Sequence, residues 1–435
     1  MSSSYSIAVV GLWHLGEIYS VGLAELGHHV IGISDDKKLV ANFSNNIPPL
    51  PEPGLQELLR KNRSEGRLEY SSDFSVISRS NVLWFTFDTP VDDNDDVDLT
   101  VIWNALERTL PYIKPDTLVV VTSQVPVGTS EKIKDFIKSA RPDIQCGYVY
   151  TPENLRLSEA VKCFLDPGRV VVGVERDEDF EKIREIFSPL RAELLRMSVV
   201  SAEVGKHALN SFLATSISFA NDIADICEVV NADILDVIKV LRTDPRIGPK
   251  AFLTAGLGFS GGTLGRDLRV LMPIIKANHI EPSVIEAVFE KNSLRKHLVK
   301  NKLSDLFGSL RGKTVSFFGL TYKAGTKTLR RSMAIEIAKE CVAAGAIVRL
   351  HDPEADIREV KELIDTFFSK DPYETAEGAE AIVVMTPWPV FKELDFSKLA
   401  GLTKTSKILF DTTNFLYEYE ISIRQAGFAY RGIGR

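Results

Sequence analysis

The sequence predicts an α/β fold: two parallel-sheet domains joined by a long central helix and a helical middle region. Three observations carry that expectation. Apolar, β-branched runs of strand length alternate with helical patterns near both ends of the chain, a glycine turn follows the first run, and the period becomes purely helical near the middle.

In order, Ser6 to Val10 reads as a strand, the Gly11 turn and an apolar-periodic helix around Tyr19 to Leu26 follow, and His29 to Ile33 is a second strand. This βαβ unit is Rossmann-like. Further strands are expected at Val82 to Phe87, Leu118 to Thr122, Gly147 to Tyr150 and Arg169 to Val174, in a parallel sheet covered on both faces. Ser201 to about Val230 reads as one amphipathic helix, with Val204, Ala208, Phe212, Ile217, Ile223 and Ile226 near helical spacing. A second Rossmann-like unit opens after Arg311-Gly312-Lys313, with strands at Thr314 to Phe318, Ile347 to Leu350, Ala381 to Met385 and Ile408 to Phe410. The expected domains are residues 1–200, a central helical and dimerising region 201–303, and 304–435.

Composition narrows the function classes. At 435 residues, 44% hydrophobic and 26% charged, the chain is an ordinary globular protein of several domains. Its net charge of −7 argues against a general nucleic-acid surface. The start, Met1 to Ser6, has no leader pattern and no apolar run approaches membrane-spanning length, so no membrane association is expected and a cytoplasmic location is. Cys146, Cys163, Cys227 and Cys341 are scattered without metal-ligand spacing, so they read as small apolar residues and no metal is expected.

The first turn, Gly11-Leu12-Trp13-His14-Leu15-Gly16, departs from the G-x-G-x-x-G of dinucleotide sites. Gly11 suits the tight turn and Gly16 close helix packing, but Trp13 fills the place whose missing side chain lets backbone approach a pyrophosphate. The helix N-terminus still offers N–H groups to phosphate. At the end of the second strand Ser34 stands where an acidic residue would accept ribose hydroxyls, with Asp35 next to it. Either Asp35 takes that role, or Ser34 with Lys37 and Lys38 accommodates a 2′-phosphate. The Asp35-Asp36 pair favours NAD, and NADP stays open.

Later segments carry a resemblance. Glu52-Pro53-Gly54-Leu55, Thr89-Pro90, Val125 to Thr129, Pro152-Glu153-Asn154-Leu155, then Glu203, Lys206 and Asn210, occur in order along the chain. Arg246-Ile247-Gly248 leads to Gly258-Phe259-Ser260-Gly261-Gly262-Thr263-Leu264-Gly265-Arg266-Asp267, and the last domain carries Tyr322-Lys323, Thr326 and Arg330-x-Ser332. With these motifs the chain resembles, over nearly its whole length, the UDP-glucose/GDP-mannose dehydrogenase family, which oxidises a sugar's C6 alcohol to a carboxylate.

The resemblance implies NAD held by the first turn with Ser34, Asp35, Thr89, Pro90, Ser123 and Gln124. It implies a UDP-sugar held by Leu155, Arg156, Arg246, Phe252, Phe259, Gly261, Lys323 and Arg330. It also implies a homodimer through the spine, with Arg246 reaching the neighbouring subunit's site. In the family a cysteine thiolate captures an aldehyde between two hydride transfers, and here its position is Thr263, a far weaker nucleophile. Lys206 and Asn210, one helical turn apart, share a face and are suited to orient a water and stabilise an alkoxide. Asp267 is the group to hold that water or Lys206, and Glu153 is placed as general base. Other departures are Gln124 for Thr, Leu157 for Glu, Gly265-Arg266 for Pro-Lys and Lys327-Thr328 for an acidic pair. The expected activity is hydride transfer from a UDP-sugar to NAD, altered by the missing thiol. Single-step oxidation, a redox-neutral epimerisation and a non-catalytic sugar-nucleotide-binding subunit are the alternatives.

Overall fold

The structure, a computed structural model, describes residues 4–90, 97–153, 155–259 and 262–435. The chain forms two compact units, Met1–Leu209 and Asn210–Arg435. The first is built on eight strands: β1 Ser6–Val10, β2 His29–Ile33, β3 Leu68–Ser71, β4 Val82–Phe85, β5 Leu118–Val121, β6 Gly147–Tyr150, β7 Arg169–Val174 and β8 Glu193–Met197. Their order is β3-β2-β1-β4-β5-β6-β7-β8. Every pairing is parallel except β6 with β7, which run antiparallel with Val149 opposite Val174.

In the second unit β9 Thr314–Phe318, β10 Ile347–His351, β11 Phe367–Ser369, β12 Ala381–Val384, β13 Ile408–Asp411 and β14 Ala429–Gly432 form an all-parallel sheet. Its order is β11-β10-β9-β12-β13-β14. In each sheet the strand order reverses beside the first strand, so a crevice opens at the carboxyl ends of β1 and β4, and of β9 and β12.

The central strands form because both faces are covered. Ile7, Ala8, Val9 and Val10 are at most 1% exposed, and odd and even positions of β1 join separate apolar clusters on the two sides. Ile7, Val9 and Val10 each contribute about 1.5–3 kcal/mol by leaving water. Among the described residues no helix is long and apolar enough to cross a membrane.

Two local expectations need correction. The first helix is His14–Glu25, so it begins directly from the glycine turn and not several residues later. The spine helix, Val199–Val230, is apolar on two faces: Ile217 is buried, whereas Val204, Phe212 and Ile226 are exposed, as is Ala208. Its periodicity therefore marks two stripes, only one of which belongs to the cores described above.

Candidate active site

The first turn has the backbone geometry of a dinucleotide site. Gly11 lies at φ +101°, and a Cβ on Gly16 would sit 1.9 Å from the Gly11 carbonyl oxygen, so a larger residue at position 16 would push the helix off β1. Leu12 is buried and meets Gly32, so only its backbone faces the crevice. Trp13 is the N-cap residue of the first helix, half exposed. The residues present fit a dinucleotide, with one competitor: Asp88 Oδ2 accepts the Leu15 N–H at 3.3 Å. That is a long hydrogen bond, weak enough for a phosphate to displace.

Behind the turn lie carboxylates that no spacing singled out. Glu17 is fully buried, with Oε2 accepting the Leu50 N–H at 3.3 Å and Oε1 without a hydrogen-bond partner among the described residues. Burial, with Glu52 and Asp88 adding repulsion, pushes its carboxyl up to about 8, so it holds a proton at neutral pH. Glu52, from the Glu-Pro-Gly-Leu segment, accepts from the Ser158 and Ala160 N–H groups at 2.9 and 3.2 Å and bonds His14 Nε2 at 3.1 Å. It thereby ties the turn to the Ala160–Leu165 helix.

At the end of β2, Asp36 and not Asp35 caps the next helix, accepting from Lys38 and Leu39 N–H groups at 2.8 and 3.1 Å. Asp35 pairs with Arg108, a residue absent from the sequence expectations. Thr89 Oγ1 donates to the Gln124 carbonyl at 2.7 Å, and the Phe87 N–H donates to Ser123 Oγ at 2.7 Å, so these two segments hold each other beside the crevice. Pro90 is exposed.

In the first unit Lys206, 7% exposed, donates to the Glu153 carbonyl oxygen at 2.5 Å and reaches Glu153 Oε1 at 3.4 Å. Glu153 also accepts the Leu155 N–H at 2.5 Å; Leu155 packs against the core, and Arg156 is exposed beside Glu159. Glu203, one turn before Lys206, accepts from Gly128 and Ser130 N–H groups at 2.6 and 2.8 Å and so caps the Thr129–Ala140 helix. In the second unit the Asn210 amide donates to Asp267, which is wholly buried.

Thr263 is exposed at the N-cap of the helix Leu264–Ala277, and its hydroxyl makes no capping hydrogen bond. Gly261 lies outside the described residues, as do Ser260 and Asn154. The glycine loop is anchored from below. Gly256 N–H meets Asn221 Oδ1 at 2.8 Å, Arg295 donates to the Gly256 carbonyl, and the Asn292 amide brackets Phe259 at 2.8 and 3.1 Å. At Gly258, φ +98°, a Cβ would meet Asn292 Oδ1 at 2.2 Å, so that glycine makes room for an internal side chain. The Phe259 ring, which the resemblance implies in holding the UDP-sugar, is instead buried in the core with Ala214, Ile217, Leu268 and Val288. Phe252 is half exposed, and Arg246 is exposed, bonded to Asp244.

In the last domain Gly319, at φ +87°, repeats the tight turn, but Asp352 fills it by accepting from Leu320 and Thr321 N–H groups at 2.7 and 3.1 Å and from Trp388 Nε1 at 3.1 Å. Phosphate is thereby kept from that turn. Lys323 and Arg330 are exposed on the following loop, and Arg331 lies beside Gly262, 3.7 Å from where a Cβ on that glycine would be. The buried thiols of Cys227 and Cys341 are pushed up by burial, Cys341 to about 12, so neither offers a thiolate.

A dinucleotide turn at the switch point of the first sheet and, in the same unit, a buried lysine bonded to Glu153 fit the class of oxidoreductases that draw hydride from an alcohol. Comparison with known proteins narrows it. The NAD binding domain of the UDP-glucose/GDP-mannose dehydrogenase family matches residues 5–191, its central domain 200–294 and its UDP binding domain 316–418. The chain belongs to that family; its cofactor is NAD and its substrate a nucleotide sugar. It is 32% identical to a UDP-glucose 6-dehydrogenase of Rickettsia bellii over 99% of both chains. It is 33% identical to the UDP-glucose 6-dehydrogenase TuaD of Bacillus subtilis over 99% of this chain and 93% of that one. A UDP-glucose dehydrogenase structure from Pyrobaculum islandicum superimposes with a TM-score of 0.88 at 28% identity, covering 100% of this chain and 98% of that one.

Proposed function

We propose that this chain oxidises the primary alcohol of a UDP-sugar to the aldehyde, and that Thr263 holds the reaction to one hydride. The observation that carries the reading is Thr263 itself: an exposed residue at a helix N-cap, with no base hydrogen-bonded to its hydroxyl among the described residues, at the position to which the sequence resemblance assigns the family's thiol. Its ionisation is too unfavourable to supply a nucleophile unaided. NAD, when bound, accepts the hydride, and the balance is alcohol and NAD⁺ giving aldehyde, NADH and one proton.

Several side chains support that half-reaction. Glu153 Oε2 accepts the Leu155 N–H, while Oε1 makes a single long contact, to Lys206, among the described residues and keeps acceptor capacity for the alcohol proton. The Lys206 ammonium and the Asn210 amide are four residues apart on one helix and stabilise negative charge as the alkoxide develops. Asp267 fixes the Asn210 amide. Arg330 and Lys323 are the mobile cations for the diphosphate, and Arg331 joins them from its place beside Gly262. The test is a count of NADH formed per UDP-sugar consumed: one is expected, and two would refute the arrest.

The second stripe of the spine supports a homodimer. Gly205, Ala208, Phe212, Thr215, Phe219, Asp222, Ile226 and Val229 alternate at spacings of three and four, and Phe212, Ile226 and Val229 are 70%, 55% and 81% exposed. An apolar seam of that regularity pairs with a second copy of itself. Sedimentation at micromolar protein should give a dimer, and a double change of Phe212 and Phe219 to Glu a monomer; a monomeric parent would end the reading.

A further inference from the structure

The carboxyl end of β2 is built unlike a site that accepts only ribose hydroxyls. Ile33, its last residue, pairs with Val10, and its carbonyl accepts the Gly11 N–H at 3.4 Å, so Ser34 stands directly beside the first turn. Ser34 carries no charge, and its Oγ accepts the Asp36 N–H at 3.2 Å, leaving its own proton available to donate.

Each neighbouring carboxylate is already engaged. Asp36 caps its helix, Asp73 binds the Ser75 N–H at 2.8 Å, and Asp35 is drawn to Arg108. Arg108 is held in place by the Phe74 ring, 4.1 Å below its guanidinium carbon. Lys37 and Lys38, exposed, have no ion-pair partner among the described residues.

We propose that this end of β2 is a 2′-phosphate receptor, so that the chain takes NADP as well as NAD, with Arg108 the residue that decides it. The inference rests on the first domain's reading as a dinucleotide site. Arg108 exchanges Asp35 for phosphate. The Arg108–Asp35 pair is at the surface, its side chains 45% and 66% exposed, and such pairs hold weakly. A guanidinium on a phosphate dianion makes two parallel charge-assisted hydrogen bonds and is the stronger contact. Ser34 donates a further hydrogen bond where a carboxylate would repel.

The ring of Phe74 keeps Arg108 oriented through the exchange, so little side-chain freedom is lost on binding. The opposing reading, in which Asp35 accepts the ribose hydroxyls and excludes phosphate, requires its carboxylate to leave Arg108 for neutral hydroxyls. That trade replaces a charged partner by two uncharged ones.

Titration calorimetry of the full chain with NAD and with NADP decides the matter, using the parent, Arg108→Ala, Arg108→Lys and Ser34→Asp. The expected result is an NADP Kd within tenfold of the NAD value in the parent. Arg108→Ala should weaken NADP at least tenfold and NAD less than threefold, with Arg108→Lys between the parent and Ala. Ser34→Asp should weaken NADP at least tenfold and spare NAD. A parent preference for NAD above tenfold overturns the inference, as does equal weakening of both cofactors by Arg108→Ala, which would mark a structural role. If neither cofactor binds the parent, the dinucleotide reading of the first domain fails instead.

Discussion

Replacing Thr263 by Cys asks whether a thiol is the one thing the second oxidation lacks. The substitution removes no capping contact, because the Thr263 hydroxyl makes none at the head of its 14-residue helix. An ordinary thiol, with a pKa of about 8.5, is roughly 3% thiolate at pH 7. The helix N-terminus favours the anion by about 0.3–1 kcal/mol at an exposed position, which lowers the pKa by roughly 0.2–0.7 and raises the thiolate to about 5–15%. Iodoacetamide labelling of the new thiol across pH, followed by peptide mass analysis against the parent background of Cys146 and Cys163, measures that fraction directly. With the thiolate present, NADH per UDP-sugar should rise from one to two. A variant that labels as calculated yet still stops at one hydride would refute the claim that the missing nucleophile arrests the reaction.

Other consequences are separable. Glu17→Gln tests the buried carboxyl behind the turn: the unfolded chain ionises it above about pH 4.5 whereas the fold keeps it protonated to about 8, so stability falls between those values and levels off above. The span corresponds to at most roughly 5 kcal/mol, so thermal melts of Glu17→Gln should match the parent at pH 4 and exceed it by several degrees at pH 8.5; parallel curves would disprove the protonated state. Glu203→Ala strands one buried and one part-buried N–H group and should cost about 2–4 kcal/mol in denaturant unfolding, far above an ordinary surface change. Asn210→Ala should lower kcat about 100-fold while the NAD Kd stays within threefold; an unchanged kcat would remove Asn210 from the site.

The sequence disclosed the interiors of both sheets but not their rims. The four strands that apolar runs did not reveal, β3, β8, β11 and β14, are the outermost of each sheet, where one side is open and Glu69, Glu193, Arg196 or Arg431 takes positions an interior strand would fill with Val or Ile. The spine was legible as a helix, yet its two apolar stripes read as one because period alone does not say which face meets the core.

For the site, Lys206, Asn210, Glu153 and Asp267 were picked out by motif order, and their pairings became visible only in three dimensions. Arg108 and Asp35 are 73 residues apart, and nothing local to either announces the other. Asp88, Glu17 and Asn292 act on backbone groups or from full burial, and such roles leave no pattern in a chain. Phe259 misled because an aromatic beside glycines suits a ligand surface and a core equally well.

The most direct test of a single hydride transfer is to supply the UDP-sugar with both C6 hydrogens replaced by deuterium and weigh the products. One deuterium should pass to NADH and the other remain in an aldehyde that hydroxylamine traps. Two deuteriums transferred per sugar, with a carboxylate as product, would contradict the account.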